Sequence, residues 1–139
     1  VTPSPGATAE REHDIRPGEV ITAIEIPGSA AARRSTYLKV RDRQSYEFAA
    51  ASAAVGLELE GDGRTIRDIR VALGGVATKP WRARSVEDAL KGKTFDEATV
   101  RKASELAMEG AVDHGANHYK IELAPRVVAR AILKLGETA

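Results

Sequence analysis

Apolar and polar residues alternate along the first half of the chain and recur three and four apart along the second, with the change falling after the stretch "GGVATKPW" at Gly74–Trp81. Glu19 to Ile26 alternates, with Val20, Ile24 and Ile26 on one face and Ile21, Ala23 and Glu25 on the other, and is bounded by Pro17-Gly18 and Pro27-Gly28. It reads as a first strand. Thr36 to Asp42 places Leu38 and Val40 opposite Tyr37, Lys39 and Arg41, a second strand. Phe48 to Leu59 and Ile66 to Leu73 are a third and a fourth. They are joined by "EGDGR", in which Gly61, Asp62 and Gly63 suit a hairpin turn.

The helical part begins near Ser85, whose hydroxyl is placed to cap a helix over Val86 to Leu90, with Glu87 and Asp88 suiting its positive end. Asp96 opens a second helix with a stripe of Val100, Ala103, Leu106, Ala107 and Gly110. A third carries Val128, Ala131, Ile132 and Leu135, and tolerates Pro125 only near its first turn. Strands followed by helices predict an α+β domain: an antiparallel meander of three to four strands with about three helices on one face.

The third strand is unusual. Ala49, Ala51, Ala53, Val55, Leu57 and Leu59 share the face that matches Leu38, Val40, Ile69, Val71 and Leu73, and this face is assigned to the helices. Phe48, Ala50, Ser52, Ala54 and Gly56 share the other, too small and apolar for an ordinary solvated surface. Either one of the chain's own helices crosses this second face closely, or it docks another domain.

Composition narrows the classes. The chain has 139 residues, enough for one domain. Its 21 basic and 20 acidic residues leave a net charge of +1, so no global field steers it to nucleic acid or an anionic membrane. Cysteine is absent, which excludes disulfides, thiolate metal sites and thiol nucleophiles within these residues. No apolar run approaches the roughly 18 to 20 residues of a membrane span. Residues 1–14, with "VTPSPGATAEREHD", read as a linker before a domain at 15–139, as in a segment of a longer polypeptide.

Local candidates for chemistry are weak. His114 and His118 are four apart after Asp113, but Gly115 and Asn117 favour a loop over a metal-binding helix face, and His13 lies in the linker. The glycines and lysine of "GGVATKPWRARS" do not have phosphate-loop spacing. Trp81 and Tyr119 are not interleaved with basic residues as a nucleic-acid surface requires. Ser35, Ser45 and Ser52 have no nucleophile context. The acidic pairs Glu87-Asp88 and Asp96-Glu97 are explained by helix first turns.

Taken together and in order, "RPGEVITAIEIP", "YLKVRDRQSYEFAAASAAVGLEL", "IRDIRVALGGVATKPWRA" and "NHYKIELAPRVVARAI" resemble the C-terminal domain of the FAD-binding (medium) subunit of molybdenum hydroxylases, the family of xanthine dehydrogenase, aldehyde oxidoreductase and carbon monoxide dehydrogenase. The resemblance covers about residues 15 to 135 and is strongest to the bacterial aldehyde-oxidoreductase type. It implies an oxidoreductase with molybdopterin and [2Fe-2S] clusters in partner subunits, and FAD held mainly by an N-terminal domain of the same subunit.

Lys39 matches a lysine that lies close to the flavin in that family, where a cation stabilises negative charge on the reduced ring. Arg41, Arg43 and Tyr46 adjoin it and complete the candidate cofactor-binding set; surface charge at a strand end is the competing reading. The resemblance also implies that the sheet side faces the flavin domain, that these residues by themselves are inactive and hold no FAD, and that their uncovered face favours self-association. A non-catalytic scaffold of the same fold is the alternative. Substrate, electron acceptor and compartment, cytoplasmic or periplasmic, stay open.

Overall fold

A computed structural model describes residues 13, 15–113 and 115–136. Four strands, β1 (Ser35–Val40), β2 (Ala51–Leu59), β3 (Ile66–Gly74) and β4 (Trp81–Arg82), form one antiparallel sheet in the order β1-β2-β3-β4. A single-turn helix, α1 (Ala30–Arg33), precedes them. The helices α2 (Arg84–Leu90), α3 (Glu97–Ser104) and α4 (Tyr119–Gly136) follow, with a 3-10 turn at Glu105–Met108 between the last two. This is the expected α+β meander. Its core lies between the sheet and α2 to α4.

The faces separate as the alternation requires. Ala51, Ala53, Val55 and Leu57 of β2 join Ile69, Val71 and Leu73 of β3 beneath Val128, Ala131, Ile132 and Leu135 of α4, all buried. Between β2 and β3, Asp62 accepts from the backbone N–H groups of Arg64 and Thr65, both at 2.8 Å, and from the Thr65 hydroxyl at 2.6 Å. The Thr65 hydroxyl, then the Thr65 and Arg64 N–H groups, pull its carboxyl down to about 2. Gly63 takes the positive φ of 68°. At the start of α3, Asp96 is the N-cap, accepting from Thr99 N at 2.8 Å.

Several expectations are corrected. Glu19 to Ile26 forms no strand; Val20, Ile21, Ile24 and Ile26 are 64 to 86% exposed, because no sheet edge among the described residues receives them. β2 starts at Ala51 rather than Phe48, and 48–50 close a ten-residue β1–β2 connection in which Ala50 N donates to Val40 O at 2.9 Å. Ser85 is no cap: α2 starts from Ala83, and the Ser85 hydroxyl donates to Glu109. The second stripe stops early. The backbone tightens after Ser104, leaving Leu106 exposed and Gly110 in a turn at φ 80°, while Val100, Ala103 and Ala107 stay buried. Pro125 lies well inside α4, where loss of its N–H costs about 3 kcal/mol and is offset by the helix's buried apolar face.

Glu87 departs furthest from expectation. It is buried beneath the sheet edge, not solvated in a helix first turn. β4 is only two residues long, so Val71 N–H faces past its ladder, and Glu87 Oε1 accepts it at 2.7 Å. The same carboxylate takes Arg82 in a two-pronged pair, through Nε to Oε1 and through Nη2 to Oε2 at 3.0 Å. One side chain thus ties α2, β3 and β4 together.

Replacing Glu87 with Ala leaves Val71 N–H buried without its acceptor and is expected to cost about 2 kcal/mol, within the range for an orphaned buried donor. Asp88→Ala, on the exposed side of α2, is expected to change stability by less than about 0.5 kcal/mol. Denaturant midpoints of the two variants check the difference.

Candidate functional site

The sheet face turned away from α4 carries three cross-strand rows. Ser35 faces Gly56 and Arg70; Tyr37 faces Ala54, then Ala72 and Arg82; Lys39 faces Ser52 and then Gly74. Small residues at the centre, with longer ones from the outer strands, make a shallow trough. α1 crosses one end of it. Ala31 is buried there, and a Cβ on Gly56 would lie 2.7 Å from the Ala31 carbonyl oxygen, so only glycine admits this approach.

Both readings of the small face therefore apply to different parts of it. The chain's own α1 covers Gly56, whereas Ala54 is exposed beside an exposed Tyr37. Between them is a groove of about 510 Å³ lined by Ser29, Ala31, Tyr37, Ala54, Ala72 and Arg82 among others. Arg82 is held at its rim by Glu87, whose carboxylate raises the guanidinium above its ordinary pKa despite some burial.

One step along β1, Lys39 extends on the same face, and its ammonium donates to the Glu47 carbonyl at 2.6 Å. The connection that follows is organised from within. Glu47 Oε2 accepts from Arg43 N at 2.7 Å, and Arg43 Nη2 donates to Tyr46 O at 2.7 Å. These bonds hold Tyr46 at φ 51°, an uncommon backbone region for a residue with a side chain. Tyr46 and Phe48 project almost wholly into solvent, at 97% and 95% exposure.

The structure thus brings Lys39, Arg43 and Tyr46 into one hydrogen-bonded unit through Glu47. Arg41 sits exposed at the start of the connection. Glu47 and Arg82 were not singled out by sequence reasoning, and Phe48 was placed on the small-residue face of a strand rather than in this connection. For Glu47 the only available signal was its spacing of four from Arg43, which on a non-helical segment says nothing about contact.

The other candidates stay outside this site. His118 Nδ1 lies 2.9 Å from Asp113 Oδ2 in an exposed loop, and His114 is outside the described residues. Among the described residues no group of three or more His, Asp or Glu could hold a metal, and no helix is long and apolar enough to cross a membrane. Trp81 is structural, donating to Ala107 O at 3.0 Å.

The geometry can accept a flat, partly apolar body. Its floor lacks bulk, Tyr37 stands at one side, and a tethered cation lies beside exposed aromatic residues. Among the described residues the trough carries no glycine-rich cradle of the kind that holds a pyrophosphate.

Residues 36–135 match the family described as the CO dehydrogenase flavoprotein C-terminal domain. The FAD-binding subunit PaoB of an Escherichia coli aldehyde oxidoreductase is 34% identical over 128 residues, which cover 92% of this chain and 36% of that protein. The glyceraldehyde dehydrogenase medium chain of Sulfolobus acidocaldarius is 34% identical over 127 residues, covering 88% of this chain and 44% of the relative. Among solved structures, quinoline 2-oxidoreductase from Pseudomonas putida 86 superposes with a TM-score of 0.66 at 34% identity, over 76% of this chain and 38% of that one. The chain spans less than half the length of each of these relatives.

Glu47→Ala removes the acceptor of Arg43 N–H and is expected to speed exchange of that amide by on the order of 10-fold. Amides of β2 and β3 are expected to keep their protection. Residue-resolved hydrogen exchange measures both, and an unchanged Arg43 rate would mean that Glu47 does not organise the connection.

Proposed function

The chain belongs to the family of CO dehydrogenase flavoprotein C-terminal domains, and from that premise we propose that its sheet closes one side of a flavin site in the FAD-binding subunit of a molybdenum hydroxylase. The observation that carries this reading is the Lys39 ammonium, fixed at 2.6 Å on the Glu47 carbonyl at the edge of a trough floored by small residues. Bound FAD would supply the redox chemistry, linking iron–sulfur clusters in one partner subunit, reduced from a molybdopterin centre in another, to an external acceptor.

What this domain contributes is shape and charge. The tether keeps the Lys39 cation from swinging freely into solvent, so that its field acts at one place. A fixed positive charge stabilises the negative charge that reduction places on a nearby ring and thereby raises the potential. Arg43 and Tyr46 shape the same edge, and Arg41 adds to its positive field. The trough of Ala54 and Ala72 takes the flavin-holding N-terminal domain of the subunit, whose pyrophosphate contacts supply most of the cofactor affinity. Without that domain these residues hold no FAD, and the uncovered trough is the surface through which they self-associate.

Lys39→Met in the complete subunit is expected to lower the flavin midpoint by on the order of 30 mV, which for a two-electron couple corresponds to about 1.4 kcal/mol of lost charge stabilisation. An unchanged midpoint in a redox titration removes Lys39 from the site and favours a scaffold without flavin contact.

Ala54→Glu places a carboxylate in the trough floor, where covering it would leave an unpaired charge. The expected outcome is a folded domain in a subunit that fails to retain FAD or to assemble with its partners. Normal assembly on size exclusion, with full flavin absorbance, would show that the trough is not the docking face.

A further inference from the structure

Three cations stand in a row on the outer face of α4. Arg126, Arg130 and Lys134 are four residues apart, all exposed, and span about 12 Å along the helix. Among the described residues none of the three enters a hydrogen bond or an ion pair. Like charges at this spacing repel, so the row weakens the helix that carries it. Lys134 has a local reason to be there, since it lies in the last turn, where the helix dipole favours a cation. Arg126 and Arg130 lie in the middle of the helix, where the dipole gives them none.

The row forms one wall of a groove of about 880 Å³ whose floor is apolar, built from half-buried Leu38, Phe95 and Leu133. The carboxylates that reach this groove are already engaged. Asp96 accepts from the Thr99 N–H and from the Thr99 hydroxyl, both at 2.8 Å, and Glu97 holds Arg101 at 2.7 Å. Glu122, one turn before Arg126, forms no ion pair with it. The groove opens on the helix side of the sheet, because Leu38 lies opposite Ala53 beneath α4, whereas the trough lies on the other side. A body seated in the trough does not fill it.

We infer that this groove docks an acidic, partly apolar segment of the iron–sulfur subunit, in a contact separate from the trough. The walls define the chemistry of the occupant: carboxylates to meet Arg126, Arg130 and Lys134, and aliphatic or aromatic side chains to cover the floor. Nucleic acid would meet the cations but leave the apolar floor wet, and a chain with a net charge of +1 has no field to gather it. The electron path identifies the subunit. Iron–sulfur clusters reduce the flavin directly, so the subunit that holds them lies against the flavoprotein subunit, whereas the molybdopterin centre passes electrons only to the clusters. The inference therefore rests on the reading of this chain as part of that flavoprotein subunit.

Carbodiimide cross-linking of the complete complex tests it, since this reagent joins a carboxylate to the Lys134 amine only where the two touch. The expected product is an amide between Lys134 and an Asp or Glu of the iron–sulfur subunit. A cross-link to the molybdopterin subunit or to a second copy of this chain, or none between Lys134 and another chain, overturns the inference. Affinity is the second measurement. Arg126→Glu with Arg130→Glu is expected to weaken binding of the iron–sulfur subunit to the complete flavoprotein subunit by at least about 100-fold, and Arg126→Gln with Arg130→Gln by about 10-fold. Lys102→Glu, exposed on α3 outside the groove, is expected to change it by less than about 3-fold. Unchanged affinity in the double variants, or an equal loss in Lys102→Glu, overturns the inference as well. Flavin content, read separately, distinguishes the two proposals. A Lys134 cross-link in a subunit without FAD sinks the flavin reading and leaves the docking groove, and bound FAD without that cross-link does the reverse.

Discussion

The structure depends on one close approach, a strand crossed by helices on both of its faces. β2 carries α4 on one side and α1 on the other. On the first side Ala51 and Ala53 let the long helix settle near the strand before Val55 and Leu57 fill the widening gap. On the second, Gly56 admits the Ala31 backbone, where a Cβ would meet its carbonyl oxygen at 2.7 Å. Seating α1 there decides where the preceding segment leaves the sheet and how much of the small-residue face remains open. The trough is the uncovered remainder of a face that the chain itself half covers.

Around that remainder the long cationic side chains are held by internal acceptors. Lys39 rests on the Glu47 carbonyl, Arg43 on the Tyr46 carbonyl, and Arg82 on the Glu87 carboxylate. Asp68 loses some ionisation tendency to burial, but Lys91 and Arg70 outweigh this and hold its carboxyl below the ordinary range. Ordering a lysine or arginine on binding costs about 0.5 to 1.5 kcal/mol of side-chain freedom. Here much of that cost is met during folding, and the charges stand in place around the trough.

Period alone made most of the fold legible. β1, β2 and β3 follow from alternation, α4 from its buried stripe, and the capping role of Asp96 from residue type and position. What period could not show was whether an alternating segment has a partner. Glu19–Ile26 has a strand's pattern and no sheet among the described residues, while Trp81–Arg82 is too short to have a pattern and pairs with β3. Long-range acceptors were equally hidden. Glu87 looks like a helix-dipole residue until the shortness of β4 exposes Val71 N–H to it, and Glu47 looks like surface charge until the connection folds back on Arg43. Of the candidate site, Lys39 was legible through resemblance and its strand position. The unit that fixes it was not.

This arrangement separates what specifies the fold from what specifies the site. A hairpin closed by two residues has its register set by turn chemistry, but ten residues join β1 to β2. Register there is set instead by the buried faces, with Leu38 opposite Ala53 and Val40 opposite Ala51. The connection is therefore released from specifying the sheet and is free to adopt a shape of its own, with Tyr46 at positive φ and two aromatic side chains turned outward. Its geometry is closed by three hydrogen bonds among Lys39, Arg43, Tyr46 and Glu47, of which only Lys39 belongs to a strand. Lys39 is thus the point at which the two systems meet. Its backbone is held in the ladder against Ser52, its ammonium is held by the connection, and a change in either displaces the same charge relative to the trough.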